Sequence, residues 1–123
     1  MILEEAIFAH LSTSTAVTGH TGARIYPVVL PQDPTLPALT FTRVATMPEN
    51  TLSGYANYEN ALVEIDCWSS ALKSSKLLAD QVRKVMDGAT GYDALLTGET
   101  VIYEPEVDIY RITQDYSCWI ATS

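Results

Sequence analysis

The chain has 123 residues, of which 47% are hydrophobic and 18% charged, a composition typical of a globular protein and not of a disordered one. This length predicts a single domain over residues 1–123. The net charge of −8 and the absence of any basic run argue against sequence-specific binding of nucleic acid, because an acidic surface repels phosphate.

The first third of the chain is predicted to contain one helix and two extended segments. Apolar residues at intervals of four predict an amphipathic helix over 2–13, and the serines, threonines and glycines that follow predict a loop up to residue 22. Residues 24–31 are extended, and their two prolines assign them either to a sheet edge or to a strand followed by a loop, since proline donates no ladder hydrogen bond. Apolar residues alternating with threonine predict a strand over 38–46.

The middle of the chain is predicted to contain a long loop and a half-buried strand. Turn-forming residues are frequent over Met47–Asn60, which predicts a functional or mobile loop between two strands. Residues 61–68 alternate in polarity, with Glu64 and Asp66 on one face. The residues predicted on the opposite, core face are Ala61, Val63, Ile65 and Cys67.

The last half of the chain is predicted to contain a helix and the closing strands. The helix follows an N-cap at Ser69-Ser70 and ends near Asp87, before Gly88. Gly98-Glu99 is a candidate hairpin turn, and the alternation over 107–121 predicts the final strand. The order of elements predicts an α+β fold, with two α-helices packed on one face of a mostly antiparallel β-sheet. The residues expected to be buried together where helix meets sheet are Val63, Ile65, Leu78, Val82, Ile112 and Cys118.

The sequence contains no recognisable pattern for catalysis, for a metal or for a cofactor. His10 and His20 have no ligand motif around them, and zinc needs about four ligands at suitable spacing. Cys67 and Cys118 lie on predicted core faces, which favours buried, reduced thiols over nucleophiles or a disulfide. The many carboxylates are predicted to occupy a solvated sheet face. These patterns therefore predict no catalytic residue, no metal and no cofactor.

No segment is predicted to enter a membrane. The longest apolar runs are far shorter than the roughly 18 residues of a membrane span. The first five residues, Met1–Glu5, lack the basic start and unbroken apolar stretch of a signal peptide. We therefore expect a protein that stays in the cytoplasm or in a particle assembled there.

Three stretches of the sequence together resemble a known protein family. These stretches are Arg24–Pro27 with Pro31-Gln32 and Pro37–Thr40, Val63–Ser69 leading into Leu77–Arg83, and Tyr103–Pro105 followed by Tyr110-Arg111. With the opening amphipathic helix, they are similar to the small tail-completion, or tail-terminator, proteins of siphovirus-type bacteriophages and prophages. The resemblance covers nearly the whole chain, and the Arg-Ile-Tyr-Pro and Ile-Asp-Cys-Trp blocks are its most specific parts.

The resemblance implies a non-enzymatic structural protein of the virion tail that is assembled in the host cytoplasm. Its expected role is to form a ring, hexameric in the tail, that caps the head-proximal end of the tail tube, ends tube growth and joins tail to head. The expected partners are other copies of the chain, the tail tube protein and a head-closure or connector protein. DNA is expected to pass through the ring without sequence-specific binding. The family fold, an antiparallel sheet with two helices, agrees with the elements predicted above.

Two alternative functions stay open at this point. One is a neighbouring neck protein, either a head-closure or a connector-adaptor subunit. The other is a small ligand-binding or enzymatic domain that uses the aromatic residues, for which a preformed pocket with convergent polar groups would be the evidence.

The assembly interface is predicted in two segments, the Arg-Ile-Tyr-Pro block and the turn-rich segment that follows the second strand. We expect the turn-rich segment to become ordered against a neighbouring subunit or the tube. The candidate interface residues are Arg24, Tyr26, Pro27, Met47, Leu52, Tyr55 and Tyr58.

Overall fold

The computed structural model describes residues 2–51, 54–89 and 92–121, and over these residues it contains three helices and one five-stranded sheet. In chain order the elements are α1 (Leu3–Thr13), α2 (Thr15–Thr21), β1 (Ile25–Pro27), β2 (Ala38–Thr51), β3 (Gly54–Ser69), α3 (Leu72–Asp87), β4 (Asp93–Glu104) and β5 (Ile109–Ala121). The strand order is β1-β2-β3-β5-β4, and every neighbouring pair is antiparallel except the parallel pair β1–β2. The predicted α+β class with a mostly antiparallel sheet is therefore confirmed.

The helices cover one face of the sheet and form the core with it. Helix α3 packs on β3 and β5, whereas α1 packs on β1 and β2. The alternation of β3 places Ile65 and its neighbours on the helix side, as predicted, and the i, i+4 stripe of α1 buries Leu3, Ile7 and Leu11. All six residues expected at the junction of helix and sheet are at most 2% exposed, which confirms that part of the prediction.

A short helix, α2, occupies the segment that was predicted to be a loop. Serine, threonine and glycine disfavour a helix in this segment. Two residues one turn apart, Val17 and Thr21, are nevertheless fully buried, and the Thr18 hydroxyl donates to the Ser14 carbonyl at 3.0 Å. Burial of these two side chains against the core outweighs the weak intrinsic propensity, so the fold has one helix more than predicted.

The prediction of a loop over Met47–Asn60 is wrong, because the described residues of this segment are extended and paired in the sheet. Strands β2 and β3 continue through this segment, with Met47 opposite Asn60 and Asn50 opposite Tyr55. Within the described residues, β5 accompanies β3 only as far as Tyr58. Residues 47–58 are named the hairpin arm below, and its outer part is a two-stranded ribbon.

Two smaller predictions in the second half are also wrong. Gly98-Glu99 is not a hairpin turn: β4 passes straight through it, with a register shift between Leu96 and Gly98 that a single extra residue explains. The residue that caps α3 is Ala71, and Ser69 belongs to β3, where its hydroxyl accepts a hydrogen bond from the Ala71 N–H at 3.4 Å. The predicted end of α3 near Asp87 is confirmed.

Candidate assembly surfaces

The first group of candidate interface residues lies at the β1 edge of the sheet. The Arg24 guanidinium donates to the carbonyl oxygens of Pro37 at 3.0 Å and His20 at 3.4 Å, so its described hydrogen bonds are within the chain. Tyr26 is half-buried, and Pro27 is exposed.

Pro27 lines an apolar groove beside α1. The groove has a volume of about 470 Å³, and its apolar walls are formed by Pro27, Phe8 and Phe41. Phe8 is 43% exposed, and its ring centroid lies 6.3 Å from that of Phe41. This part of the β1 edge is therefore a small exposed apolar surface.

The second group of candidate residues belongs to the hairpin arm and is distant from the first. Met47 is 47% exposed and lies six residues beyond Phe41 on β2, roughly 20 Å along the strand. Tyr55 and Tyr58 lie in β3, where only the backbone is described, and Leu52 lies outside the described residues. The structure thus places the candidate residues at two separate surfaces.

The sheet face opposite the helices, named the open face, carries a polar network that the sequence did not predict. Asp66 is 7% exposed and accepts hydrogen bonds from the hydroxyls of Thr113 at 2.5 Å and Thr40 at 3.3 Å. The Trp68 indole donates to the Thr40 hydroxyl at 3.0 Å, and the Arg111 guanidinium lies 5.0 Å from the centre of the Trp68 ring. The predicted solvated face is therefore wrong for Asp66, whose burial is compensated by two donors.

Two further carboxylates on the open face have no cation paired with them among the described residues. Glu64 lies directly opposite Asp115 in the β3–β5 register, on the same face as Asp66. Partial burial raises the pKa of Glu64, and the nearby charges of Asp66 and Asp115 raise it further. Arg111, whose positive charge offsets part of this rise, makes its ion pair with Glu104 at 3.1 Å. The centre of the open face therefore carries more carboxylates than cations, and Arg111 offsets their repulsion only in part.

A concavity of about 630 Å³ opens on this acidic area. One wall is the segment Val28–Leu30, and the other walls include Glu64, Asp66, Trp68 and Arg111. Val28 and Val29 are 67% and 70% exposed, which is unusual for two consecutive valines. The concavity thus combines two carboxylates and two arginines, Arg43 and Arg111, with an exposed apolar rim.

Helix α3 carries most of the basic residues of the chain, together with two aspartates, Asp80 and Asp87. Four of the seven basic residues in the sequence lie in this helix: Lys73, Lys76, Arg83 and Lys84. Lys76 is paired with Asp80 at 3.2 Å and Glu99 at 3.0 Å, whereas the other three make no ion pair within the described part of the chain. Lys73, Leu77 and Lys84 are spaced by four and seven residues and therefore share one stripe, which faces away from the buried side.

Neither a metal-binding group of side chains nor an activated thiol is found among the described residues. Over 2–51, 54–89 and 92–121 there is no group of three or more His, Cys, Asp and Glu side chains that could hold a metal ion. Cys67 and Cys118 are buried, and burial raises the pKa of the Cys118 thiol to about 11 and that of Cys67 well above its ordinary value. A thiol in this state is a poor nucleophile at neutral pH.

Among the described helices, none is long and apolar enough to cross a membrane.

Glu64→Gln should stabilise the free subunit near neutral pH, whereas Glu99→Gln should destabilise it. The folded-state pKa of Glu64 is raised, so its ionised form opposes folding above the unfolded pKa, and the benefit of glutamine disappears as the pH falls below that value. The pKa of Glu99 is lowered, chiefly by the hydrogen bond from Gln114, so its contribution is present above the unfolded pKa and is lost as the pH falls through the folded pKa.

We expect each of these two substitutions to change the free energy of unfolding by about 0.5 kcal/mol or less, because solvent screens both carboxylates. Urea melts of the wild type and both variants at pH 7 and pH 3 measure the effect. The two variants serve as controls for each other, and a change of the same sign at pH 7 would contradict the assignment.

Comparison with known proteins gives a family and a shared fold. A family model described as tail completion protein gp17 matches residues 5–121. Among solved structures, a chain from the virion of a native gene transfer agent particle is similar, with a TM-score of 0.74, and the alignment covers 97% of this chain and 94% of that one. The two sequences are 12% identical, so this likeness concerns the fold. No curated protein sequence matches the chain.

Proposed function

The chain belongs to the family of tail completion protein gp17, and from this membership we propose that it is a tail terminator: it forms a ring on the head-proximal end of the tail tube, ends tube growth and joins tail to head. It is a structural protein of a phage tail. The finding that carries the proposal is the extent of the family match, residues 5–121 of 123.

The solved relative supports a place in a particle. Its chain comes from the virion of a gene transfer agent, and nearly the full length of both chains aligns. On this basis we take residues 1–123 as one tail-terminator-like domain that acts within a virion without enzymatic activity or a cofactor. Its proposed partners are further copies in a hexameric ring, the tail tube protein and a head-closure or connector protein, with DNA passing through the ring.

The hairpin arm supports a docking role toward the tube. Its outer part is a ribbon of two strands, and a ribbon of this size has marginal stability in water unless another surface covers it. The arm also lies at the end of the sheet opposite the β4–β5 turn, so it can contact one partner while the rest of the subunit contacts others. We therefore propose that the arm docks on the tail tube.

Replacing Asn50–Tyr55 with an Asn-Gly turn should leave the fold intact and impair tail joining. The described residues of this segment pair only with one another, so the loss of stability should be within about 1 kcal/mol. Joining should fall at least about tenfold, since a docking contact worth 1.4 kcal/mol or more would be lost. Infectious particles formed when the purified variant is added to extracts lacking this protein measure joining, and urea melts measure stability.

A matched control places Asn-Gly at Glu106-Val107, in the β4–β5 turn at the other end of the sheet. This variant should join tails like the wild type. Normal joining by a folded arm variant would show that the arm does not dock.

Electron microscopy of purified tails tests the ring itself. Tails carrying a tagged copy of the chain should show label at the head-proximal end only, and quantitative mass spectrometry should give about six copies per tail if the ring is a hexamer. Tails made without the protein should have tubes of irregular length. A single copy per particle, or label on tailless heads, would favour the neck-protein alternative instead.

A further inference from the structure

The backbone at Val28 adopts a conformation that β-branched residues rarely take. Its φ is +69°, and the Val29 N–H donates to the Pro27 carbonyl at 2.8 Å across it, which closes the rarer, strained form of γ-turn. A branch at Cβ makes a positive φ an outlier, because the side chain then crowds the backbone. Val28 and Val29 gain little burial in return, since they are 67% and 70% exposed. The turn at Val28 is therefore a strained element that core packing does not require.

The local sequence around this turn favours an extended backbone instead. Valine prefers strands, and Leu30 precedes Pro31, a position at which proline disfavours the helical region and favours extended conformations. The sequence accordingly predicts an extended chain over 24–31, whereas the structure interrupts it at Val28. A disagreement of this kind between local preference and observed conformation is typical of functional segments.

The hydrogen-bond ladder between β1 and β2 also stops early at this turn. The Phe41 carbonyl accepts from the Val28 N–H at 3.0 Å, so the backbone groups of Phe41 point toward β1. Those of Arg43, two residues on, point the same way, because strand residues alternate. Among the described residues, however, the pairing of β1 with β2 ends at Pro27 and Phe41. The N–H and C=O of Arg43 therefore face an unfilled position at this edge of the sheet.

A straight backbone at Val28 would fill that position. In register with the existing pairs, the Arg43 N–H would donate to the Val28 carbonyl, and the Arg43 carbonyl would accept from the Leu30 N–H. Leu30 would then lie beside Val44, about 20 Å along β2 from Ala38, where β2 begins. The chain from Leu30 to Ala38 can span roughly 26 Å, so the connection is long enough for this change.

Straightening would also enlarge the apolar groove beside α1. Residues two apart on a strand face the same side of the sheet, so Val29 would stand next to Pro27, which lines that groove with Phe8 and Phe41. Val29 would at the same time leave the concavity on the open face, where it now forms part of one wall. The apolar surface at the β1 edge is therefore complete only in the straight form.

We propose that Val28–Leu30, named the strap, is a conformational switch that is turned in the free subunit and straightens along β2 when the subunit joins the ring. A neighbouring copy that packs on the completed groove gains contacts only with the straight form, and this difference in affinity shifts the equilibrium. Release of the strain at Val28 lowers the cost of the change. The inference rests on the proposed ring and supplies a reason why subunits away from the tail do not associate early.

Two substitutions in the strap test the switch. Val28→Gly relieves the strain of the turned form, because glycine adopts a positive φ freely, and therefore opposes straightening. Leu30→Pro removes the N–H that the straight form needs, whereas this N–H has no partner among the described residues in the turned form. Each full-length variant is added at limiting concentration to tails that lack the protein, and mass spectrometry counts the copies retained. Both should be retained about tenfold less than the wild type.

Matched controls separate the switch from general effects. Leu30→Ala, which keeps the N–H, and Val107→Gly, at an exposed valine of the β4–β5 turn, should be retained like the wild type. In urea melts of the free chains, Val28→Gly should be more stable than Val107→Gly, because both add the same freedom to the unfolded chain and only the first relieves strain. The reverse order would overturn the strain at Val28. If Leu30→Pro does not fold, Val28→Gly alone decides the retention test.

Hydrogen exchange detects the straight form directly. The amides of Leu30 and Arg43 should exchange at least about tenfold more slowly in wild-type tails than in the free chain, because both become donors in the completed ladder. Copies of Val28→Gly that are retained should show less slowing than the wild type. Equal exchange in tails and in the free chain, or normal retention of Val28→Gly, would overturn the switch and leave the ring intact. Wild-type protein that never forms rings on tails would overturn the proposed function, and the switch with it.

Discussion

Leu78→Ala is expected to lower the free energy of unfolding by about 2–5 kcal/mol. Leu78 is fully buried in the part of α3 that packs on the sheet, among Ile65, Ile112 and the other residues of the core cluster. Removing its isobutyl group loses buried apolar area and leaves a cavity that a two-layer core can fill only partly. The loss is a large fraction of the roughly 5–15 kcal/mol that keeps a domain folded.

Two further variants allow the expected loss of stability for Leu78→Ala to be ranked against smaller losses. Val82→Ala, one turn along the same buried stripe, should cost about 1–3 kcal/mol, because a smaller side chain is removed from an equally buried site. Glu64→Ala on the open face should cost much less, since it removes an unfavourable charge and little buried area. Midpoints of urea denaturation rank the three, and a larger loss for Glu64→Ala than for Leu78→Ala would mean that the wrong face was assigned to the core.

Gln114→Glu is expected to destabilise the protein by about 3–5 kcal/mol at neutral pH, although it hardly changes the shape of the side chain. Gln114 is fully buried, and its amide nitrogen donates to the Ala79 carbonyl and to Glu99, both at 3.0 Å. Its amide oxygen accepts from the Tyr116 hydroxyl at 2.8 Å. Glutamate removes both donors and places a second carboxylate against that of Glu99, so a buried charge is left beside a like charge.

The pH dependence identifies the cause of this loss. The new carboxyl would have a raised pKa in the folded state, so its destabilising effect is present near pH 7 and decreases as the pH falls through the folded pKa and the group becomes neutral. Gln114→Met serves as the control, because it also removes the hydrogen bonds and should cost about 1–3 kcal/mol without this pH dependence. Equal losses for both variants at every pH would show that charge is not the reason.

The core and the assembly surfaces place different demands on the chain. Core residues such as Leu78 stabilise the fold, whereas the ionised carboxylate of Glu64 slightly opposes the stability of the free subunit. A screen for stability alone would therefore select against Glu64.

The periodic spacing of apolar residues in the sequence was sufficient to predict those helices and strands in which buried residues recur at a constant interval. The strict alternation of Val63, Ile65 and Cys67 correctly predicted both the strand and its core face. The hairpin arm was missed because the turn-forming residues of 47–60 are judged locally, whereas pairing of β2 with β3 decides their conformation. Helix α2 was missed for a similar reason, since Val17 and Thr21 become buried only when the rest of the core is present.

The candidate surfaces were less predictable than the fold. That Glu64 and Asp66 share a face follows from their spacing, but the position of Asp115 opposite Glu64 depends on the β3–β5 register. Alternation with Ile112 and Tyr116 places Gln114 on the core face, but its hydrogen bond to the Ala79 carbonyl depends on how α3 packs on the sheet.

The sequence by itself determined the α+β class, the buried stripes of α1, α3 and β3, the reduced core cysteines and, through three motif blocks, the tail-completion family. These properties depend on residues near one another in the chain, or on side-chain polarity repeating with the period of a helix or a strand. Only the tertiary structure decided the pairing of β2 with β3 in the hairpin arm, the buried network around Asp66 and the position of Asp115 opposite Glu64. Those features arise from contacts between residues far apart in sequence, whose strand register and packing are set by the whole core.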